Sequence, residues 1–254
     1  KLRLYVMLDG SDESLIQHYF SQRPPISPYL TIRTVKLYAD GALGSRGAAL
    51  LEDYADDPGN RGLMITSEDE IYGIADRALT AGYQVAVHAI GDRANREVLD
   101  AYERAFNEHA EVSDPRFRIE HAQILDEQDI PRFAQLGVLA AMQGVHATSD
   151  MPWVAERIGE ERTAEGAYVW NKLLAAGAKV VNGTDAPVED ISAVECFYAS
   201  VTRQDEEGNP PGGGYPDQRM SREQALRSYT LDAAYAAFEE NNKGSLESGK
   251  LADI

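Results

Sequence analysis

Short apolar runs alternate with amphipathic stretches along this chain of 254 residues. Six runs rich in Val, Leu and Ala lack strict alternation, which is typical of strands buried on both faces of a sheet. They cover residues 2–8, 34–39, 83–88, 117–122, 138–143 and 179–184. The stretches between them show helical spacing, so the pattern predicts an α/β domain with a parallel sheet and right-handed crossovers.

Residues that start or stop helices mark several of the boundaries. Ser67 with Glu70 forms a capping box, and Gly82 suits the left-handed position after the last turn. Gly137 occupies the same place before the fifth predicted strand. Near the end of the chain, the spacing predicts a single helix over 221–238.

Four of the apolar runs end in polar residues that bind metals or carry chemistry: Lys36, His88, His121 and Asp185. The carboxyl ends of parallel strands meet at one edge of a sheet, where α/β proteins place their sites. We therefore expect these four side chains to converge. Because side chains alternate along a strand, Glu120 is predicted to point away from the face that carries His121.

The residues alone leave each of these roles open. Lys36 is predicted to be a buried lysine paired with an acid such as Asp40, a Schiff-base or general-base amine, or a carboxylated metal ligand. The two histidines fit either core positions or metal ligands. Asp185 fits a turn or helix cap, and it equally fits a metal ligand that accepts a proton from water.

Further candidates lie in the loops after the strands. Arg46, in the glycine-rich segment 40–50, is a candidate substrate contact, and so are His146 and Trp153. The glycine-rich segment lacks the spacing of a phosphate-binding loop, so nucleotide binding has little support. His146 fits a plain loop residue equally well, and Trp153 fits a lid or the core.

Composition excludes several classes of function. A net charge of −18 argues against binding nucleic acid, which requires basic patches. No apolar run approaches the ~18 residues of a membrane span.

The single Cys196 lies in a helical pattern and allows no internal disulfide, which fits a cytoplasmic location. The sequence shows no nucleophile elbow, so catalysis by Ser or Cys has little support.

Taken together, the motifs resemble the amidohydrolase superfamily of metal-dependent hydrolases, and more narrowly the branch that includes N-substituted formamide deformylase. The matching stretches are VKLYADGALGSRGAAL, VAVHAIGDRA, RIEHAQ, NGTDAPV and GSLESGKLADI. They span nearly the whole chain in the family's order.

The resemblance implies a (β/α)8 TIM barrel and a divalent metal, usually zinc. It makes Lys36 a carboxylated lysine that bridges two ions, His88 and His121 ligands, and Asp185 both ligand and proton shuttle. The family's His-x-His pair is absent from this sequence. We therefore expect residues 1–254 to be one partial barrel, with about six of the eight βα units and no flanking β-sandwich. Family members often form dimers, so a homodimer is also expected.

The predicted function is metal-dependent hydrolysis of non-peptide carbon–nitrogen bonds in a small-molecule substrate, with amides or N-formyl groups favoured. Two alternatives remain at this stage. One is a non-catalytic barrel remnant that binds a ligand or a partner subunit. The other is a metal-free lyase that forms a Schiff base at Lys36.

Overall fold

Six strands pair in sequence order into one parallel sheet in the computed structural model, which describes residues 2–252. The strands are β1 (Leu4–Asp9), β2 (Leu30–Tyr38), β3 (Gln84–Ala89), β4 (Arg118–His121), β5 (Leu139–Met142) and β6 (Val180–Asn182). All neighbouring pairs are parallel. The predicted sheet is confirmed, although β2 begins at Leu30 instead of residue 34.

Helices connect successive strands and continue after the last one. They are α1 (Glu13–Phe20), α2 (Glu68–Ala81), α3 (Asp92–Glu108), α4 (Ile130–Leu136), α5 (Gly144–Asp150), α6 (Val154–Ile158), α7 (Glu160–Gly166), α8 (Trp170–Ala175), α9 (Ala193–Thr202), α10 (Arg222–Tyr229) and α11 (Leu231–Ala236). The capping box of Ser67 and Glu70 is present at α2. Gly82 and Gly137 both adopt the predicted left-handed conformation.

The single helix predicted over 221–238 is wrong. The chain leaves the helical conformation at Thr230, where φ is −119° and ψ is −87°, and it resumes as α11. The hydroxyl of Thr230 donates to the carbonyl of Leu226, a bond that competes with regular helix formation. After the break, Ala236 packs in a small buried cluster with Leu139 and Val181 on the sheet.

The two faces of the sheet have different chemistry. Leu8, Val35 and Val87 share one face through the strand register and are buried in the main core with the helices. The neighbouring residues Lys36 and His88 alternate with them and lie on the other face. Helices on one face of a parallel sheet, with candidate site residues at the carboxyl ends of the strands, are the arrangement of a (β/α)8 barrel. Residues 2–252 supply six of its strands and no second sheet.

The described residues contain no helix that is long and apolar enough to cross a membrane.

Gly91 gives a test of how the loops are held over the sheet. A Cβ atom at Gly91 would lie 1.9 Å from the carbonyl oxygen of Ala49, which accepts the backbone N–H groups of Arg93 and Ala94. We expect Gly91→Ala to lower the free energy of unfolding by about 3 kcal/mol, because backbone must move. Urea unfolding measures this change.

Gly73 provides the matched control. It lies within α2, and a Cβ atom there would meet nothing within 4 Å. Gly73→Ala should therefore raise the free energy of unfolding by about 1 kcal/mol. Equal stability losses in the two variants would contradict the close contact at Gly91.

Candidate metal centre

A cavity of ≈ 530 Å³ opens at the carboxyl ends of the strands. Its polar and aromatic lining residues are Lys36, Tyr38, His88, His121, Gln123, His146, Asp150, Trp153, Asp185 and Glu189. The structure thus brings together the four residues that end apolar runs in the sequence. His146, Asp150 and Trp153 reach the same cavity from α5 and the turn after it.

Three side chains in this cavity are arranged as a set of metal ligands. One ligand atom each from His121, His146 and Asp185 lies within 4.8 Å of the others. Nε2 of His88 and Nε2 of His146 are buried without a hydrogen-bond partner among residues 2–252. A buried polar atom is costly unless it has a partner, and imidazole and carboxylate ligands suit zinc and similar divalent cations. The donor set therefore fits a metal.

Gln143 orients His121. The amide of Gln143 donates from Nε2 to the carbonyl of Ala141 at 3.1 Å, which places its Oε1 against Nδ1 of His121 at 2.7 Å. Because that oxygen only accepts, Nδ1 carries the proton in the neutral ring and Nε2 keeps a lone pair for a cation.

His88 lies beside His121, with ring centroids 4.6 Å apart. Burial lowers the pKa of His88 to about 3, with further lowering by His121 and by the charge of Lys36. Burial also lowers the pKa of His121, again with a contribution from Lys36. Both rings are therefore neutral near pH 7, the form that binds metals.

Asp40 fixes the glycine-rich loop to the turn after β3. Its buried carboxylate accepts the backbone N–H groups of Ala49, Ile90 and Gly91 at 2.8 to 2.9 Å. Burial raises the pKa of Asp40 to about 7, although the three N–H donors oppose the shift. Its Oδ1 is 3.6 Å from Nε2 of His88. Among the described residues, no ion pair joins Asp40 to Lys36, the partner considered from the sequence.

Lys36 lines the same cavity as His88 and His121. Burial lowers the pKa of its amine, while the charges of Glu120 and Asp185 oppose that shift. Its Nζ is 4.5 Å from the centre of the Tyr38 ring. A lowered pKa increases the fraction of neutral amine, which is the form that reacts with electrophiles.

The predicted orientation of Glu120 is wrong. Glu120 is opposite His88 in the register, so it shares the face that carries Lys36, and it accepts from Nε of Arg118 at 2.8 Å. His121 reaches the cavity because its backbone is left-handed, with φ at 75°. This local conformation breaks the alternation from which the sequence prediction was made.

The three predicted substrate contacts have different positions. Arg46 forms a two-bond ion pair with Asp56, at 3.0 and 2.7 Å, and is not among the residues that line the cavity. This position argues against a direct substrate contact. Trp153 does line the cavity, and its ring covers Gly44. His146 lies with the candidate metal ligands.

Sequence reasoning missed several polar residues of the cavity region, among them Gln123, Gln143, Asp150 and Glu189. Gln143 is the last residue of the fifth predicted strand, so the strand-end rule that selected the histidines would also have selected it. Asp150 and Glu189 gave no such signal, because they lie on α5 and on the loop after β6.

The role of Gln143 leads to a prediction about metal affinity. Gln143→Met keeps the side-chain volume but removes the acceptor for His121, so we expect zinc affinity to fall about 10- to 100-fold. Competition with a chromogenic chelator measures the affinity. Gln218 is a matched control, since it is also buried, its Oε1 accepts the backbone N–H of Lys172, and it does not line the cavity. Equal affinities in the Gln143→Met and Gln218→Met variants would exclude the orienting role.

The chain resembles known proteins along almost its whole length. It is 38% identical over 232 residues to the protein LONG AFTER FAR-RED 3 of Arabidopsis thaliana. The match covers 90% of this chain and 39% of that protein. It is 31% identical to N-substituted formamide deformylase of Arthrobacter pascens, over 76% of this chain and 35% of that protein. The chain thus spans about two fifths of the length of these relatives.

A solved structure shares the fold. An uncharacterized metal-dependent hydrolase from Pyrococcus furiosus superimposes with a TM-score of 0.85 at 34% identity, covering 99% of this chain and 49% of that one. This likeness confirms the predicted incomplete barrel with six strands. The model of the amidohydrolase family matches residues 8–254. With the ligand cluster at the carboxyl ends of the strands, these matches show that the chain belongs to the amidohydrolase family.

Proposed function

We propose that the protein carrying this chain is a metal-dependent hydrolase of carbon–nitrogen bonds other than peptide bonds, acting on amides or N-formyl groups. The observation that carries this proposal is the cluster of His121, His146 and Asp185, beside a buried nitrogen of His88 that has no hydrogen-bond partner among residues 2–252. The likeness to N-substituted formamide deformylase supports the choice of bond.

The candidate holders of the metal are His88, His121, His146 and Asp185, together with Lys36 in carboxylated form. Carboxylation joins the neutral amine of Lys36 to carbon dioxide and releases one proton, which gives an anionic oxygen ligand where the protonated lysine would be a cation. The lowered pKa of the Lys36 amine favours this step. A bound divalent ion, with zinc favoured, would polarise the substrate carbonyl and acidify the attacking water.

The side chains of the cavity supply the remaining chemistry. Asp185 accepts the proton of the attacking water and delivers it to the leaving nitrogen, as a general base and then a general acid. Gln143 keeps His121 in the tautomer whose Nε2 is free. Tyr38 and Trp153 add aromatic surface to the cavity lining.

The test uses the full protein that contains this chain. The metal is removed with a chelator, and the hydrolysis of formanilide and acetanilide is followed by release of the amine. We expect no turnover without metal and recovery of turnover when zinc is added.

Activity that persists in metal-free protein would overturn the proposal. If borohydride then trapped a substrate adduct on Lys36, the Schiff-base alternative would replace it. Binding of small amides without any turnover, in metal-loaded protein, would support the non-catalytic alternative instead.

A further inference from the structure

We propose that the cavity selects substrates that carry a cationic group, such as a primary ammonium, which binds between Asp150 and Glu189. This inference rests on the proposed function and names the substrate class for the same site. Both acids line the cavity beside the candidate metal ligands, and neither belongs to the ligand cluster.

Asp150 is held in a fixed position on the cavity wall. Its Oδ2 accepts from the hydroxyl of Tyr168 and from Nε2 of Gln123, the latter at 3.1 Å. Gln123 and Tyr168 also bond to each other at 2.5 Å, and Tyr168 is buried. Both bonds to the carboxylate go to Oδ2, which leaves the acceptor capacity of Oδ1 for a ligand. A carboxylate held in this way loses little side-chain entropy when a cation binds.

Glu189 also lines the cavity, and it lies on the loop after β6. Its Oε1 accepts from the hydroxyl of Ser149 at 2.7 Å and is 4.0 Å from Nε2 of His146. The charge of Glu189 acts on Asp150 and contributes to the raised pKa of that carboxyl, after burial. Two like charges in one cavity repel each other, and a cation bound near both of them reduces that repulsion.

The remaining lining residues favour the same ligand. Lys36 is the only Lys or Arg among the described residues that line the cavity, and the proposed carboxylation would remove its positive charge. Trp153 and Tyr38 add aromatic surface, on which ammonium groups bind favourably. The net charge of −18 also attracts cations and repels anions over a longer range. With Lys36 carboxylated, a free carboxylate on the substrate finds no Lys or Arg partner among the described residues of this lining.

The test compares three substrates that differ in one para substituent, of which the cationic and the neutral substituents have equal size. They are 4-(aminomethyl)formanilide, 4-ethylformanilide and 4-(carboxymethyl)formanilide, and the full metal-loaded protein is used. We expect kcat/KM for the cationic probe to exceed that for the neutral probe about tenfold, mainly through KM, and the anionic probe to be slowest.

We define the preference as kcat/KM for the cationic probe divided by kcat/KM for the neutral probe. Glu189→Gln and Asp150→Asn should each reduce this ratio by about 3- to 10-fold. Because the ratio is taken within one variant, a general loss of activity does not affect it. Glu156→Gln is the matched control, since Glu156 is exposed on α6 and does not line the cavity. It removes one negative charge nearby and should leave the ratio unchanged.

Two results separate the inference from the proposed function. Turnover of the neutral probe without preference for the cationic one would overturn the inference and leave the proposed function standing. If no probe is hydrolysed, the proposed function fails for formanilides, and calorimetry with 4-(aminomethyl)aniline and 4-ethylaniline decides the inference. Tighter binding of the cationic amine, weakened in Glu189→Gln, supports it, and equal binding overturns it.

Discussion

Replacing Asp185 with asparagine should lower kcat by about 10³-fold in the metal-loaded protein. The amide keeps the size of the side chain and one oxygen ligand, but at neutral pH it does not accept the proton of the attacking water. Zinc content should therefore fall far less than turnover. Steady-state kinetics with formanilide, combined with metal analysis of the same sample, measures both quantities.

Asp190 provides the control for this substitution. It lies on the same loop, is exposed, and accepts the backbone N–H of Ser192 at 2.9 Å, a bond that asparagine preserves. Asp190→Asn should leave kcat unchanged. Near-normal turnover in Asp185→Asn, with metal bound, would show that Asp185 is not the proton acceptor.

Removing an imidazole ligand should weaken metal binding more than any other single change. We expect His121→Ala and His146→Ala each to lower zinc affinity by about 10³-fold, because each ligand contributes several kcal/mol to a zinc site. Competition with a chelator gives the affinities. The zinc affinity of Gln143→Met, which removes only the orienting acceptor, should lie between the affinities of these variants and that of the unchanged protein.

His18→Ala is the matched control, since His18 is exposed on α1 and contacts Tyr19. Its zinc affinity should equal that of the unchanged protein. If His146→Ala bound zinc normally while His121→Ala did not, His146 would return to the role of a substrate contact, which was the role predicted from the sequence.

The sequence predicts the sheet because the local pattern of apolar residues marks each strand. Each strand is a short apolar run bounded by a helix end, and the chain order is also the order of the strands in space. The same regularity places Lys36, His88 and Asp185 at one edge. These features depend on local pattern and on simple connectivity, which a single sequence contains.

Other features depend on local backbone geometry or on distant contacts. The left-handed backbone at His121 brings that ring to the same face as Glu120, which a period of two does not allow. Asp150 reaches the cavity because α5 places it beside Gln123 and Tyr168, which are remote in the chain. Arg46 forms an ion pair with Asp56 and does not line the cavity. The glycine-rich motif gives no signal for this ion pair.

The central claim is that a metal ion binds where the carboxyl ends of the strands meet. Crystals of the full protein grown with zinc, measured at the zinc absorption edge, test it most directly. The predicted result is an anomalous peak about 2.0 to 2.2 Å from a nitrogen of His121, with ligand atoms of His146 and Asp185 also in contact. A cavity without an anomalous peak in zinc-saturated crystals would contradict the claim.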